Sequence, residues 1–133
     1  MSGRALMVQG TMSHVGKTVL VAGLCRLFAR EGVRVAPFKA QNMSLNSSVT
    51  PQGGEIGRAQ AMQAEAAGIE PTVDMNPILL KPEADHRSKV VVLGKPLFRA
   101  EAREYYRNRS WLWTAVTGAL DRLMASYDLV VME

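Results

Sequence analysis

The sequence has little of three features that would place it in a specialised class. It contains one cysteine, Cys25, among 133 residues, which excludes an internal disulfide and a cysteine-based metal cluster. Its apolar runs are short, and none approaches the roughly 18 residues that a membrane-spanning helix needs. Aromatic residues make up only 6% of the chain, and they form no stripe with basic residues of the kind that binds single-stranded nucleic acid. We therefore expect a cytoplasmic protein that binds neither a membrane nor nucleic acid.

What is present is a globular composition with a mild positive charge. Hydrophobic residues make up 47% of the chain, charged residues 21%, and the net charge is +4. This length accommodates one domain with one core. The basic excess lies between residues 81 and 109, where acidic residues interrupt it. It is either a solvated face or a wall that faces an anionic substrate.

The order of the predicted elements indicates an α/β fold. Residues 5–9 predict a buried strand, residues 17–30 have helical spacing, and residues 33–38 predict a second strand. A strand, a helix and a strand in this order form a βαβ unit, whose strands are parallel. Further along we predict a polar loop over 39–54, a helix over 56–67, a hairpin of strands 78–81 and 89–93, a helical region over 99–126, and a buried strand over 128–133.

The last predicted strand carries an acidic residue, Glu133, at the point where a doubly wound sheet normally continues. We therefore expect a mostly parallel sheet flanked by helices that is incomplete within these residues. An incomplete sheet exposes strand edges, so we expect low stability and association into a homo-oligomer.

The strongest chemical signal is the segment Gly10–Thr18, GTMSHVGKT. It lies between a predicted strand and a predicted helix, which is the context of a phosphate-binding loop. In such a loop backbone N–H groups cradle phosphates, Lys17 places a positive charge on them, and the Thr18 hydroxyl suits Mg²⁺. Five residues separate Gly10 from Gly16, so the loop is a variant of the common pattern. The residues that we predict to bind the nucleotide are Gly10, Thr11, Ser13, His14, Val15, Gly16, Lys17 and Thr18.

Two acidic residues are candidates for a second contact to the metal. Glu133 closes an apolar strand, and Glu55 begins the second predicted helix. Carboxylate oxygens near phosphates are suited to Mg²⁺. Taken alone, Glu133 could instead be a solvated carboxylate, and Glu55 could be a helix N-terminal charge.

Several segments together resemble one enzyme family. The loop resembles the variant loop of dethiobiotin synthetase and its relatives. Four more segments are similar, in order and over essentially the whole chain, to the N-terminal part of the cobyric acid synthase family of glutamine-dependent amidotransferases. These segments are FKAQNMSLN at 38–46, GGEIGRAQ at 53–60, NPILLKP at 76–82 and EYY at 104–106.

This resemblance implies a P-loop NTPase-type domain that uses ATP and Mg²⁺ to activate carboxylates of a corrinoid, adenosylcobyrinic acid a,c-diamide, as acyl phosphates. Ammonia, which a C-terminal glutaminase-like domain releases from glutamine, then forms amides at side chains b, d, e and g. That domain is absent from residues 1–133, which would be the N-terminal part of the ATP-binding synthetase domain. By position, the resemblance makes Lys17 and Lys39 catalytic, Thr18, Glu55 and Glu133 metal ligands, and Gln41, Asn42, Ser44 and Asn46 the acceptor side of the site.

Two alternatives are also compatible with the sequence. One is another synthetase of the same kind, either cobyrinic acid a,c-diamide synthase or dethiobiotin synthetase. The other is a nucleotide-dependent switch. Switch ATPases of the partition and septum-positioning kind carry an extra lysine near the start of the loop, where this chain has Thr11 and Met12. That difference favours an enzyme.

Overall fold

The computed structural model describes residues 3–133, which form nine strands and four α-helices. The strands are β1 (Arg4–Met7), β2 (Val35–Phe38), β3 (Gln41–Met43), β4 (Ser47–Val49), β5 (Glu55–Gly57), β6 (Ile78–Pro82), β7 (Ser88–Val92), β8 (Lys95–Ala100) and β9 (Leu129–Met132). The helices are α1 (Lys17–Arg30), α2 (Arg58–Ala66), α3 (Ala102–Arg107) and α4 (Arg109–Ser126), and a short 3-10 turn covers Val73–Met75. Within the described range, no helix combines the length and apolarity needed to cross a bilayer.

A three-stranded parallel sheet carries the phosphate-loop segment. β9 lies between β1 and β2 and pairs in parallel with both. The predicted βαβ unit is therefore confirmed as parallel, although β9 separates its two strands. Met132 aligns with Met7 on one side and with Phe38 on the other. The chain segments that follow these three strands therefore emerge at one edge of the sheet.

The first strand differs from its prediction in burial. Residues 5–9 predict a buried strand, but all four residues of β1 are exposed, Leu6 at 39% and Met7 at 52%. The prediction of burial was wrong because β1 forms the outer edge of the three-stranded sheet and has a neighbour on one side only.

A second sheet, in the order β3-β6-β7-β8, adds antiparallel pairs to the fold. The predicted hairpin is confirmed as β6 and β7. β8 was not predicted, and residues 99 and 100 belong to it rather than to the predicted helical region. The chain reverses from β7 to β8 through Leu93 and Gly94, both with positive φ, 47° and 82°. A two-residue turn of this kind joins antiparallel strands.

The predicted polar loop over 39–54 contains two strands, β3 and β4. β3 pairs in parallel with β6, and β4 forms an antiparallel hairpin with β5. Because residues 55–57 belong to that hairpin, the second helix begins at Arg58 rather than at residue 56. The hairpin contacts the turn between β7 and β8, where the Glu55 N–H donates to the Gly94 carbonyl at 3.0 Å.

Helices cover both faces of the parallel sheet. The buried side of α4 contributes Leu112, Val116, Ala119 and Leu123 to the larger core, together with Ala36 and Val130. The smaller core lies beneath α1 and contains Val21, Cys25, Val35 and Val131. Neighbouring residues of a strand point to opposite faces, so α1 and α4 pack on opposite sides of the sheet. The buried residues of α4 recur at three- and four-residue spacing, as expected for a helix with one face on the core.

Candidate active site

The loop between β1 and α1 leaves a helix N-terminus free for an anion. Gly16 occupies the N-cap position with φ 99°, no side chain caps the helix, and its first turn has no acidic residue. The first backbone N–H groups of a helix lack intrahelical acceptors and attract anions. At Gly10 an added Cβ would lie 2.5 Å from the Val15 side chain and 3.2 Å from Lys17 Nζ. This close approach explains why the loop requires glycine there.

The two residues that open α1 face the loop and the end of β9. Lys17 Nζ donates a hydrogen bond to the Met12 carbonyl at 3.2 Å, which holds the ammonium group across the loop. The Thr18 hydroxyl donates to the Glu133 carboxylate, with distances of 3.2 and 3.4 Å to its two oxygens. The structure therefore brings the Thr18 hydroxyl and the Glu133 carboxylate together, while the predicted role of both as metal ligands stays a prediction.

These groups lie in a crevice of about 660 Å³, a volume typical of small-molecule sites. The crevice brings together residues from the phosphate loop, the end of β2, β3 and the end of β9. Its walls are formed by Ser13, His14, Gly16, Lys17, Thr18, Val19, Lys39, Gln41, Asn42, Met43 and Glu133. Nine of the predicted site residues are among them.

Two buried glutamines of α2, which the sequence reasoning missed, hold Glu133 in place. Gln63 Nε2 donates to Glu133 Oε1 at 2.9 Å and to the Thr18 carbonyl at 3.2 Å, and Gln60 Nε2 donates to Glu133 Oε1 at 3.4 Å. Both glutamines are fully buried. Gln63 Oε1 has no hydrogen-bond partner among the described residues. The opposite amide orientation would turn this oxygen toward a carboxylate and a carbonyl, so electrostatics favours the observed one.

The acceptor side of the crevice is connected to the same network. Asn42 Nδ2 donates to Gln60 Oε1 at 3.1 Å, and Gln60 in turn contacts Glu133. This bond runs close to Gly57, where an added Cβ would lie 2.2 Å from Asn42 Nδ2. Asn42, on the predicted acceptor side, is therefore linked to Glu133 through one side chain.

Asn76 is a third buried polar residue without a predicted role. Its Oδ1 accepts a hydrogen bond from the Gly57 N–H at 2.9 Å, and its Nδ2 donates to the Lys39 carbonyl at 3.1 Å. Asn76 thereby ties the residue after β2 to the start of α2. Since Lys39 lines the crevice, Asn76 fixes the backbone from which that lysine extends.

Other predicted residues lie outside the crevice walls. Gly10, Thr11 and Val15 belong to the loop but do not line the crevice. Ser44 and Asn46 form a local turn after β3, in which the Asn46 N–H donates to Ser44 Oγ at 3.0 Å. Their predicted role at the acceptor side stays a prediction.

Glu55 is engaged elsewhere in the fold. Its carboxylate forms an ion pair with Lys81, and neither side chain is more than 26% exposed. Burial raises the pKa of Glu55, but hydrogen bonds from Lys81 and Ser47 and the charges of Lys81 and Lys89 hold it below its ordinary value. Glu55 does not line the crevice, and its role as a metal ligand stays a prediction.

The oxygens beside the loop fit Mg²⁺ bound together with a nucleotide. The described residues contain no group of three or more His, Cys, Asp and Glu side chains that could hold a metal ion. Mg²⁺ usually takes one or two protein oxygens and fills its remaining positions with phosphate oxygens and water. The Thr18 hydroxyl and the Glu133 carboxylate supply such oxygens side by side.

Comparison with known proteins agrees with this geometry. Residues 6–130 match the family model described as the CobQ/CobB/MinD/ParA nucleotide binding domain. The chain belongs to this family. Membership confirms the predicted P-loop NTPase-type α/β fold and the assignment of a nucleotide-binding domain. No solved structure matches the chain.

Several curated proteins that are similar to this chain are named cobyric acid synthase. The protein of Desulforudis audaxviator is 61% identical over 133 residues, which are 100% of this chain and 27% of the relative. That of Sorangium cellulosum is 59% identical over 133 residues, or 100% of this chain and 26% of the relative. That of Dehalococcoides mccartyi is 58% identical over 130 residues, or 98% and 26%. The chain spans about a quarter of the length of the relatives it matches.

Proposed function

We propose that the crevice binds Mg·ATP and transfers the γ-phosphoryl group to a carboxylate of a corrinoid, adenosylcobyrinic acid a,c-diamide. Ammonia derived from glutamine then converts the acyl phosphate into an amide. The observation that carries this proposal is the contact between the Thr18 hydroxyl and the Glu133 carboxylate beside Lys17. The name shared by the relatives, cobyric acid synthase, supports the corrinoid as acceptor.

The residues suit a reaction between two anions. A carboxylate oxygen of the acceptor attacks the γ-phosphorus, the bond from that phosphorus to the bridging oxygen breaks, and ADP leaves. The acceptor carboxylate is already ionised at neutral pH, so no general base is required. Lys17 and Lys39 supply the positive charge that offsets repulsion between the carboxylate and the phosphates. Mg²⁺ held by Thr18 and Glu133 would neutralise further phosphate charge.

The amide-forming step needs a source of ammonia outside these residues. Ammonia attacks the acyl carbon and phosphate leaves. The protein must therefore deliver ammonia while keeping water away from the acyl phosphate. A thiol nucleophile for glutamine hydrolysis has to be accessible and readily ionised. Cys25 is 0% exposed, and burial raises its pKa to about 11. We propose that a separate glutaminase-like domain supplies the ammonia.

Nucleotide binding is tested with Lys17→Ala. Calorimetric titration of the chain with Mg·ATP is expected to show at least about tenfold weaker binding for this variant, because a charge-assisted hydrogen bond to phosphate is lost. Lys95→Ala removes an exposed lysine that lies on β8, outside the crevice, and should bind as the unaltered chain does. Equal affinity of Lys17→Ala and the unaltered chain would contradict the assignment of the loop.

The acyl phosphate is tested with an isotopic label. In the protein that carries this chain, a corrinoid acceptor whose carboxylates contain heavy oxygen should transfer one labelled oxygen to the released phosphate for each amide formed. Mass spectrometry of the phosphate measures this transfer. Unlabelled phosphate together with labelled amide would exclude the acyl phosphate route while leaving nucleotide binding intact.

A further inference from the structure

A second cavity, of about 270 Å³, opens between the four-stranded sheet and α3. Leu80, Val90 and Ala100 contribute buried apolar side chains to it. Tyr105 and Tyr106 of α3 form the opposite wall. The cavity is thus apolar at its base and aromatic along one side, which suits a flat apolar molecule.

This cavity adjoins the crevice, because Gln41 and Met43 of β3 line both spaces. Met43, at the boundary between the two spaces, is 61% exposed, and Tyr106, on the wall of the cavity, is 66% exposed. Two large apolar side chains therefore remain uncovered beside the cavity. Exposed apolar groups beside a polar crevice are typical of a ligand-binding surface.

Gln41 lies at the boundary between the cavity and the crevice, and the oxygen of its side-chain amide already accepts a hydrogen bond. Its Oε1 accepts a hydrogen bond from the Tyr105 hydroxyl. Its Nε2 has no hydrogen-bond partner among the described residues, so the donor is available to an acceptor atom at the boundary. A carboxylate that extends from the cavity toward the phosphates would accept this bond.

The turn between β6 and β7 brings His86 to the wall of the cavity. Asp85 and His86 are consecutive residues with positive φ, 68° and 59°, a backbone conformation that occurs in tight turns between antiparallel strands. His86 and Ser88 are the polar groups at this side of the cavity.

The volume of the cavity limits what it can hold. Sites that enclose a whole ligand have roughly 300–1,000 Å³, and this cavity has about 270 Å³. A large ring therefore enters with one edge only, and the remainder lies over Met43 and Tyr106 toward the crevice.

We propose that this cavity holds one apolar edge of the acceptor, a large ring that bears carboxylate arms, while one arm passes Gln41 and reaches the phosphates. This inference rests on the proposed function and adds the residues that recognise the acceptor. Tyr105 acts as a positioning residue for Gln41, and Tyr106 and Met43 provide apolar contact.

The proposal is tested with substitutions that add a large side chain to the cavity or remove one from it, and that leave the phosphate loop unchanged. Ala102 is an exposed residue of α3 that lines the cavity, so Ala102→Trp places a large side chain in it. The matched control is Arg103→Trp, at the next position of α3 and outside the cavity wall. Tyr106→Ala is a second variant, which removes an exposed ring and leaves the core unchanged. Binding of adenosylcobyrinic acid a,c-diamide and of Mg·ATP is measured for each variant in the protein that carries this chain.

We expect Ala102→Trp and Tyr106→Ala to bind the corrinoid at least about tenfold more weakly than the unaltered protein and to bind Mg·ATP equally well. Arg103→Trp should bind both ligands as the unaltered protein does. Corrinoid binding that is equal in all variants would overturn the cavity assignment and leave the proposed function standing. Failure of the unaltered protein to bind the corrinoid, with Mg·ATP binding retained, would overturn the proposed acceptor, and the cavity assignment with it. Loss of Mg·ATP binding in the two cavity variants would show a general structural effect and contradict the assignment as well.

Discussion

Gln63 connects three groups of the crevice through one buried amide. It donates to the Glu133 carboxylate and to the Thr18 carbonyl, while its own carbonyl oxygen lacks a partner among the described residues. A buried polar atom without a partner costs about 1–3 kcal/mol. That cost is consistent with a residue kept for the orientation of Glu133 rather than for stability.

Gln63→Leu is expected to weaken Mg·ATP binding by about tenfold, because a hydrogen bond to a charged group contributes about 1.5–3 kcal/mol. The leucine also removes the unpartnered oxygen, so the free energy of unfolding should change less than binding does. Calorimetry and urea unfolding measure the two quantities. Gln52→Leu, at an exposed turn position, is the control. A large loss of stability with unchanged affinity would contradict a positioning role.

Cys25 is expected to be unreactive in the folded chain. Burial raises its pKa from 9.0 to about 11, so at a given mildly alkaline pH the thiolate fraction is about a hundredfold below that of the unfolded chain. Because folding raises this pKa, the folded chain holds the thiol proton more tightly than the unfolded chain does. The free energy of unfolding is therefore unaffected by this group below the unfolded pKa and falls as the pH rises from there through the folded value. Labelling with a thiol reagent in native buffer and in urea measures the difference. Rapid native labelling would mean that α1 opens readily.

Among individual site residues, those that belong to a continuous sequence motif could be predicted from the sequence. Lys17 and Thr18 follow from the glycine-rich loop, and Glu133 follows from its position at the end of a strand. Gln60 and Gln63 do not follow, because polar residues on a helix are ordinarily assigned to its solvent face. Their three-residue spacing places them on one side of α2, but only the packing of α2 against α1 and β2 brings that side to Glu133.

Among the elements, the hairpin of β4 and β5 depends on a close backbone contact with the β7–β8 turn. Gly94 has φ 82°, and an added Cβ would lie 2.7 Å from Gly54 Cα and 2.5 Å from a Val73 side-chain carbon. No larger residue fits this position without movement of the backbone. The contact orients the segment that leads through Gly57 into α2, and therefore the two glutamines.

Gly94→Ala is expected to lower the free energy of unfolding by about 1–3 kcal/mol from the backbone conformation alone, with the steric contact adding to the loss. Gly23→Ala is the matched control, because Gly23 lies in the interior of α1 and an added Cβ there meets nothing within 4 Å. That change should raise the free energy of unfolding by about 0.5–1 kcal/mol. Urea unfolding measures both. Similar effects of the two substitutions would contradict the packing argument.

The long helices and the interior strands could be predicted at this scale, and the short strands could not. The apolar pattern of α1, α4 and β9 is clear enough for these elements to be recognised from the sequence. β3, β4 and β5 have three residues each, too few to show a period of two. They form strands because partners in other parts of the chain supply their hydrogen bonds. The turn that begins β8 was visible as a glycine after an apolar run, but a lone glycine does not distinguish a turn from a loop.

The molecule as a whole has a larger solvent-accessible surface than a compact protein of its mass. Its accessible area is 8079 Å² for 14.5 kDa, whereas a compact monomer of this mass has about 6,900 Å². The exposed apolar residues include Leu6 and Met7 on β1 and Leu20 and Leu27 on α1. One side of β1 also has no strand partner, and an open strand edge promotes association.

We expect the 133-residue chain to self-associate through β1. Analytical ultracentrifugation across a dilution series should show a concentration-dependent average mass. Leu6→Lys places a charge on the open strand and should shift the chain toward monomer, whereas Leu27→Lys, equally apolar but on α1, should have a smaller effect. A monomer at every concentration, or an equal effect of both substitutions, would contradict association through the strand edge.

The bond from Asn42 to Gln60, and from Gln60 to Glu133, has a thermodynamic consequence. A molecule that moves Asn42 would also change how Glu133 is held, so we expect occupancy of one half of the crevice to alter the affinity of the other half. Such coupling is reciprocal: the factor by which the acceptor changes nucleotide affinity equals the factor by which the nucleotide changes acceptor affinity. Titrations of each ligand in the presence and absence of the other measure that factor. If each ligand increases the affinity for the other, the nucleotide would bind tightly only when the acceptor is also bound.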